Sequence, residues 1–372
     1  MPLDRDSRSL KMISEYRRRG FLVLPVIWSR GDLVDPGLEY AAIYRGNGGY
    51  GRRLGNLWVR VKWICFLAIF IWKNRNRIDL IHSVDLDVGI ITAPLGRLIG
   101  TPVVYDAFDQ MASFFNPGLI SRCLALVERH AINASSLAIF PDIVRLKQYG
   151  MLYSSNTIII SNIPDIDPNE SIAICPHSTI GNNKGAVRLH LVYVGTLEST
   201  HRGLEFIPRI CDRFKDVLTF SVAGVGFLKS FFEIESNKRP NLQFLGKLAY
   251  HEAKALMANA DCLYAPYLLT TQAHKYASPN KMYEHLALGK ALLTNRGTPV
   301  GDLVSKEQSG YIFDGSYEDL VSSIKKMSLT ECQQIGEKAM TAWQTTYSQL
   351  RFNQLNKYFT VLEDRYLFSR KG

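Results

Sequence analysis

The sequence predicts an α/β protein of two doubly wound domains, each a parallel sheet covered by helices, facing one another across a cleft. Three observations predict it. Short continuous apolar runs alternate with helical stretches almost throughout, as strands do when both faces of a parallel sheet are buried. The 372 residues are too many for one small core and suit two domains of roughly 100–200 residues each. Midway, residues 160–187 (ISNIPDIDPNESIAICPHSTIGNNKGAV) change texture and become rich in Pro, Asn, Ser and Gly, as a linker does. The expected organisation is an N-terminal domain over 1–163, a hinge loop over 164–187 and a C-terminal domain over 188–345. A helical tail over 346–372 is expected to pack back across both lobes.

Taken in order, residues 7–19 read as a helix ended by Gly20, followed by a strand over 21–28. Further strands are expected at 38–43, 79–83, 102–106, 136–140 and 157–161. The second series has strands at 189–194, 217–223, 241–245, 261–265, 291–294 and 310–313, then helices over 328–367. One feature is unusual. Doubly wound domains open with a strand at the centre of the sheet, whereas this chain opens with a polar loop and a helix. The N-terminal sheet is therefore expected to lack its first strand, leaving two neighbours with unpaired backbone groups. Either the start lies upstream or another segment fills the gap; the missing strand is the preferred reading.

Composition excludes other classes. With 47% apolar and 21% charged residues, the chain is neither disordered nor fibrous. Six cysteines without a Cys-x-x-Cys pair argue against a disulfide framework or zinc ribbon and suit a reducing cytoplasm. The first twenty residues contain no apolar core of a signal peptide. Of the net charge of +10, +8 lies in residues 1–80, which hold 15 Lys and Arg against 7 Asp and Glu. An anionic membrane surface or a nucleic-acid groove would each explain that bias. No recognition-helix, RNA-binding or zinc-finger pattern supports the second. The longest apolar run, WICFLAIFIW at 63–72, is half the roughly 20 residues that span a bilayer.

The most informative stretch is ASPNKMYEHLALGKALLTN at 277–295. Ser278 is a good N-cap and Pro279 suits the first helical position, with Gly289 ending a helix of about three turns. Free N–H groups at such a start attract anions. Lys281 adds a cation, and Glu284, three residues on, shares its face. An ordinary capped helix with a Lys–Glu pair gives the same local pattern.

The surrounding order of motifs decides between the two. This run resembles the donor-site signature of family-four nucleotide-sugar glycosyltransferases of the GT-B fold, of the bacterial surface-polysaccharide type. VYVGTLESTHRG at 192–203 resembles the strand, turn and helix start that grip the donor diphosphate. NLQFLGKLAYHEAKALMANADCLYAP resembles the base-binding segment and the strand after it. DLIHSVDLD, VVYDAFDQ and SNIPD match later strand ends and the approach to the linker. The likeness spans nearly the whole chain, more specifically in the second half. It implies two Rossmann-like GT-B domains and a nucleotide-sugar donor, UDP- or GDP-linked, without cofactor or metal. It implies that Glu284 binds the ribose hydroxyls, while Lys281, Ser278, Asn280, Gly195 and Arg202 line the diphosphate. Arg202 stands where the family carries a lysine, and its fork binds phosphate bidentately. Tyr276 replaces a glutamate that contacts the sugar. Thr196 replaces an arginine, so one phosphate cation is lost unless Lys247 or Lys275 supplies it.

In the first half, Asp106 and Asp109 lie at a strand's C-terminal end, where open α/β sheets place ligands. They are the candidate catalytic carboxylates. Phe108 stands where relatives have a catalytic His, so Asp109 is the candidate replacement. As general base it would give inversion; as an orienting group, retention; a helix cap is the structural alternative. His82 and Asp85, again at a strand end, are the acceptor-side candidates. Asp85-x-Asp87 matches a metal motif only superficially. Basic residues over 52–77 (Arg52, Arg53, Arg60, Lys62, Lys73, Arg75, Arg77), with Trp58, Trp63 and Trp72, suit the inner face of a cell membrane, where a lipid-linked saccharide would be the acceptor. A buried core helix with solvated basic ends is the alternative there. The expected protein is thus a cytoplasmic, peripherally membrane-bound glycosyltransferase. A non-catalytic nucleotide-sugar or glycan-binding relative and a GT-B epimerase remain as alternatives.

Overall fold

A computed structural model describes residues 6–29, 42–46, 53–164 and 188–367. The chain forms two compact units. The first comprises Met1–Ile139, Ser154–Ile158 and Leu362–Gly372; the second comprises Phe140–Tyr153 and Ile159–Val361. Most of the expected hinge loop lies outside the described residues.

The N-terminal unit begins with helix α1 (Ser7–Arg18), capped by the Asp6 carboxylate, which accepts from Ser9 N at 3.0 Å. Strands β1 (Val26–Ser29) and β2 (Ala42–Arg45) form a two-stranded parallel sheet with Val26 opposite Ala42. The expected strand over 21–28 is therefore confined to its second half. Helix α2 (Arg53–Asn74) is far longer than the apolar run inside it. There follow β3 (Ile81–Val84), α3 (Asp85–Ile99), β4 (Val103–Asp106), α4 (Leu119–Ala134), β5 (Leu137–Phe140) and β6 (Thr157–Ile159), while α5 (Ile143–Gln148), between β5 and β6 in sequence, belongs to the second unit. These four strands make a separate sheet in the order β3-β4-β5-β6. All four residues of β4 and of β5 are buried, because helices cover both faces there. All four of β1, and three of four in β3, are half-buried. The last described turn belongs to this unit, where Arg365 and Tyr366 donate to the Ser155 and Ser136 carbonyls.

Trp63 corrects an expectation. It is 4% exposed, with Trp28, Tyr44 and Phe66 at ring distances of 6.2, 5.7 and 5.8 Å. Its side of α2 seals β1 and β2 rather than facing out.

The C-terminal unit is a complete doubly wound domain. Its strands are β7 (Leu189–Val194), β8 (Leu218–Ala223), β9 (Leu242–Phe244), β10 (Cys262–Tyr264), β11 (Ala291–Asn295) and β12 (Gly310–Phe313). They pair in parallel, in the order β12-β11-β10-β7-β8-β9. The first strand lies in the middle and the order reverses beside it, between β7 and β10. Helices α6 (Ile207–Arg213), α7 (Lys229–Lys238), α8 (Tyr250–Ala258), α9 (Gln272–Lys275), α10 (Lys281–Ala287), α11 (Pro299–Glu307) and α12 (Tyr317–Lys325) alternate with the strands. Helices α13 (Leu329–Ala342) and α14 (Leu350–Leu362) close the series. Apolar clusters lie on both faces of the sheet, Leu256, Leu286 and Val300 on one side and Phe220, Phe232 and Leu320 on the other. The strands follow the sequence expectation to within a residue or two.

Candidate functional site

In sheets of this order, ligands sit outside the strand ends where the order reverses. In the C-terminal unit that point is flanked by the loops after β7 and β10. The loop after β7 starts at Gly195, whose N–H donates to Ala223 O at 3.0 Å. Gly224 and Gly226, at φ +152° and +150°, explain its tight seat. A Cβ on Gly224 would lie 1.8 Å from Gly195 O, and one on Gly226 would lie 2.5 Å from Leu197 O. These glycines therefore let one backbone loop press on another.

Arg202, at the end of that loop, donates from Nε to Glu198 Oε2 at 3.0 Å. Its guanidinium stands 4.8 Å from the ring centre of Tyr267, three residues beyond β10. Tyr267 is held on both backbone atoms by Asn295, and burial pushes its phenol above the ordinary value. Sequence reasoning missed Tyr267 and Glu198, although Tyr267's place just after the central strand β10 was the available signal.

Lys281 and Glu284 come together as expected, Nζ to Oε2 at 3.8 Å with side chains 16% and 7% exposed. Lys281 also reaches the first loop, since a Cβ on Gly195 would meet its Cε at 3.7 Å. Burial pulls the Lys281 ammonium below its ordinary pKa and Arg202 adds to this, while Glu284 opposes it. Gly195, Arg202, Lys281 and Glu284 thus form one cluster.

Ser278 corrects the expected cap. The helix is shorter than three turns and starts at Lys281, with Asn280 in the cap position making no side-chain cap bond. Ser278 precedes it, 6% exposed, and its Oγ is buried without a hydrogen-bond partner. Its carbonyl accepts from Asn162 Nδ2 at 2.6 Å, so the SNIPD segment fixes the approach to α10. Gln354 on α14 holds that segment in turn, accepting from Ser161 N at 2.9 Å. Within α10, His285 bridges Lys281 O and Ser309 Oγ at 3.1 and 2.9 Å, and burial drives its pKa down to about 4. Lys275 lies over the ring of Tyr276 at 5.7 Å.

In the N-terminal unit the expected residues separate into two groups. Asp106 is fully buried and bound by Arg8, with Nη2 to Oδ1 at 2.7 Å and Nε to the two oxygens at 3.1 and 3.3 Å. His82 Nε2 lies 3.4 Å from Asp106 Oδ2, and its Nδ1 is 3.1 Å from Tyr16 Oη. Burial pushes the Asp106 carboxyl up, but Arg8 and His82 outweigh it and hold the group below its ordinary value. This enclosed ion pair ties α1 to the sheet. It corrects the expectation that Asp106 meets a substrate and makes His82 its structural partner. Arg8 was missed.

Asp109, in contrast, is exposed, just past the end of β4. Its N–H and that of Phe108 donate to Asp85 Oδ1 at 3.2 and 2.7 Å. Asp85 has φ +55°, a conformation that costs a non-glycine residue of order 1–3 kcal/mol. Burial, then the Asp109 charge, push its carboxyl well above the ordinary value. Asp87 turns elsewhere, to Arg60 at 2.7 Å, so the two carboxylates of the Asp-x-Asp do not share a partner. Phe108 lies 5.3 Å beneath the Arg8 guanidinium.

The arrangement is that of a protein with two Rossmann-like α/β units, the second carrying a cationic cluster beside a buried carboxylate at its switch point. Residues 188–328 match the family described as glycosyl transferases group 1. The Anabaena protein HepE in complex with UDP and glucose is similar in structure at TM-score 0.60 and 17% identity, over 87% of this chain and 86% of that one. The E. coli trehalose-6-phosphate structure bound with UDP-2-fluoro glucose gives TM-score 0.66 and 10% identity over 95% of each chain. Sucrose-phosphate synthase from Thermosynechococcus elongatus gives 0.65 and 14% over 93% and 91%. No curated protein matches the sequence. The likeness over nearly whole chains establishes the two-domain Rossmann-like GT-B fold.

Proposed function

We propose that the chain is a glycosyltransferase that moves a sugar from a nucleotide-sugar donor, UDP- or GDP-linked, to a hydroxyl of a glycan acceptor. The observation that carries this reading is the cluster at the switch point of the C-terminal unit. Arg202 and Lys281 supply two cations for a diphosphate, and the unpartnered Ser278 hydroxyl supplies a further donor. Glu284, the carboxylate beside Lys281, accepts hydrogen bonds from the ribose diol. The family match over this unit, and the UDP and UDP-2-fluoro glucose bound in two structural neighbours, support that assignment.

As the bond between the anomeric carbon and the diphosphate oxygen breaks, negative charge gathers on the departing nucleoside diphosphate. Arg202 and Lys281 stabilise that charge where it develops. On the acceptor side, the exposed Asp109, whose backbone N–H is held by Asp85, is assigned to orient or deprotonate the attacking hydroxyl. We assign Gly195 and Asn280 to the diphosphate contact through their backbones. The reaction as proposed uses no cofactor and routes no step through a metal.

The finer assignment is to family-four enzymes of bacterial surface-polysaccharide synthesis, acting on a lipid-linked saccharide at the inner face of the cell membrane. Its support is the outer surface of three helices that pack side by side, α2, α3 and α4. Trp58, Ile69 and Trp72 on α2, and Leu119, Ile120 and Leu126 on α4, are exposed. Lys62, Lys73, Arg75, Arg77, Arg122 and Arg129 are exposed among them, a pairing that suits an anionic leaflet. Among the described residues no helix is long and apolar enough to cross a membrane.

The test is titration with UDP, GDP and their sugar conjugates, followed by turnover with a lipid-linked acceptor. Glu284→Gln should weaken nucleoside-diphosphate binding roughly 10–150-fold, the worth of a hydrogen bond to a charged group, while leaving the fold intact. Unchanged affinity would refute the cluster as donor site. Binding without transfer to any acceptor would favour the non-catalytic reading, which the packing of Phe108 under Arg8 also accommodates.

A further inference from the structure

We propose that Glu128 is a positioning residue for the proposed transfer, holding the segment that carries Asp109 from the side opposite Asp85. The inference rests on the transferase reading and lies wholly within the N-terminal unit.

Glu128 stands where the helix pattern calls for a core residue. On α4, Ser121, Leu124, Ala125, Glu128, Ala131 and Ile132 recur at helical spacing. None of these is exposed, whereas Arg122, Leu126, Val127 and Arg129 between them are. Glu128 itself is fully buried. A carboxylate on such a stripe costs free energy unless its oxygens are bonded. For packing alone, an apolar side chain of similar size would serve at least as well.

The bonds of its two oxygens show what the carboxylate does. Oε1 accepts from Tyr105 Oη at 3.0 Å and Oε2 from Met111 N at 3.1 Å. Tyr105, on β4, is itself confined, since a Cβ on Gly89 of α3 would lie 2.3 Å from its ring. One oxygen is thus anchored to the sheet while the other holds the segment beyond β4. Met111 opens the short turn Met111–Phe114, two residues after Asp109. Ser121 Oγ, on the same side of α4, donates to Ala112 O at 3.2 Å. Asp85 holds the near side, accepting from the Phe108 and Asp109 N–H groups. The backbone of Asp109 is therefore bracketed by carboxylates from two helices, α3 and α4. Burial pushes the Asp85 carboxyl up, and the Asp109 and then the Glu128 charge add to it, as three carboxylates around one segment must. A group that orients or deprotonates a hydroxyl has to be held to within about 0.5 Å. The second anchor restricts the rotation that Asp85 alone would permit.

The experiment compares Glu128→Leu, which keeps the bulk and removes both acceptors, with Glu128→Gln. The amide of the second can accept from Met111 N and donate to Tyr105 Oη. Tyr105→Phe removes only the bond to the sheet and controls for lost stability. Readouts are hydrogen exchange over 109–112, thermal melting, UDP and GDP affinity, and turnover. Turnover is followed as nucleoside diphosphate released from UDP-glucose or GDP-mannose with a lipid-linked saccharide as acceptor. In Glu128→Leu, exchange at Met111 should quicken roughly 10–150-fold, the worth of a hydrogen bond to a charged group. Its kcat should fall roughly 100-fold, as for a displaced reacting group, with nucleotide affinity unchanged. Glu128→Gln should recover most of that turnover, and Tyr105→Phe should melt lower yet turn over within a few-fold of wild type. Unchanged Met111 exchange in Glu128→Leu overturns the proposal. Turnover that merely tracks melting temperature across the three variants also overturns it, because the role would then be stability alone. An active wild type with undiminished Glu128→Leu turnover refutes the proposal by itself, whereas a wild type that transfers to no acceptor refutes the transferase reading and the proposal with it. If Glu128→Leu does not fold, Glu128→Asp, which keeps the charge and shortens its reach, is held to the same outcomes.

Discussion

Acid should loosen the site helix through one histidine, and the size of the effect follows from its surroundings. His285 is fully buried in α10, between Lys281 O and Ser309 Oγ. Its pKa falls to about 4 in the folded protein, against about 6.5 for an unperturbed imidazole. Between those values the unfolded chain takes up a proton that the folded one refuses. The neutral imidazole's contribution is therefore complete above pH 6.5 and is lost as pH falls through 4. Fully lost, it amounts to about 3 kcal/mol, and most of that is gone by pH 4.5. His285→Gln removes the titration. The assay is urea unfolding of wild type and variant from pH 7.5 to 4.5, and the quantity of interest is the difference between them. Every other titratable group is present in both proteins and cancels. The wild type should approach the variant by roughly 2–3 kcal/mol over that interval. Parallel profiles would refute the assignment of a neutral, buried His285. Because the same helix carries Lys281 and Glu284, nucleotide affinity should fall with it.

Three further perturbations separate roles that look alike in sequence. Asp106→Asn removes the buried carboxylate that Arg8 binds and should cost about 3–5 kcal/mol, visible as a lower melting temperature; lost turnover at unchanged stability would instead make Asp106 catalytic. Gly224→Ala forces a Cβ to within 1.8 Å of Gly195 O and should displace the loop before Arg202. Gly246→Ala, with φ +64° and no atom within 4 Å of the new Cβ, controls for backbone strain alone, so equal nucleotide affinity in the two variants would remove the loop contact from the argument. Trp58→Ser combined with Trp72→Ser and Leu119→Ser should reduce cosedimentation with anionic vesicles, whereas Trp63→Ser should act on stability. Retained cosedimentation of the triple variant would count against the helical layer as a docking surface.

What the sequence shows and what it hides divide along a physical line. Strands of a parallel sheet are buried on both faces, so they appear as uninterrupted apolar runs; β7, β8, β10 and β11 are legible for that reason. Lys281 and Glu284 are legible because a helix brings residues three apart together regardless of the rest of the fold. Trp63 and Trp72 end the same apolar run, yet one is core and the other is half exposed. Only the neighbouring sheet decides which side of α2 turns inward. Arg8 and Asp106 are 98 positions apart, and no local pattern ties a basic residue on a polar helix to a buried carboxylate. Asp85 is hidden differently, since its role rests on φ +55°, which the residue's identity disfavours. A glycine there would have signalled the turn but would have left the Phe108 and Asp109 N–H groups without their acceptor. The carboxylate and the costly backbone are thus one device that fixes the segment carrying Asp109. Strain of this kind persists only where the surroundings enforce it, and here two backbone hydrogen bonds at 2.7 and 3.2 Å do so. Asp85→Gly should therefore relax the backbone and still loosen Asp109, which separates conformational ease from the positioning that the proposed acceptor-side role of Asp109 requires.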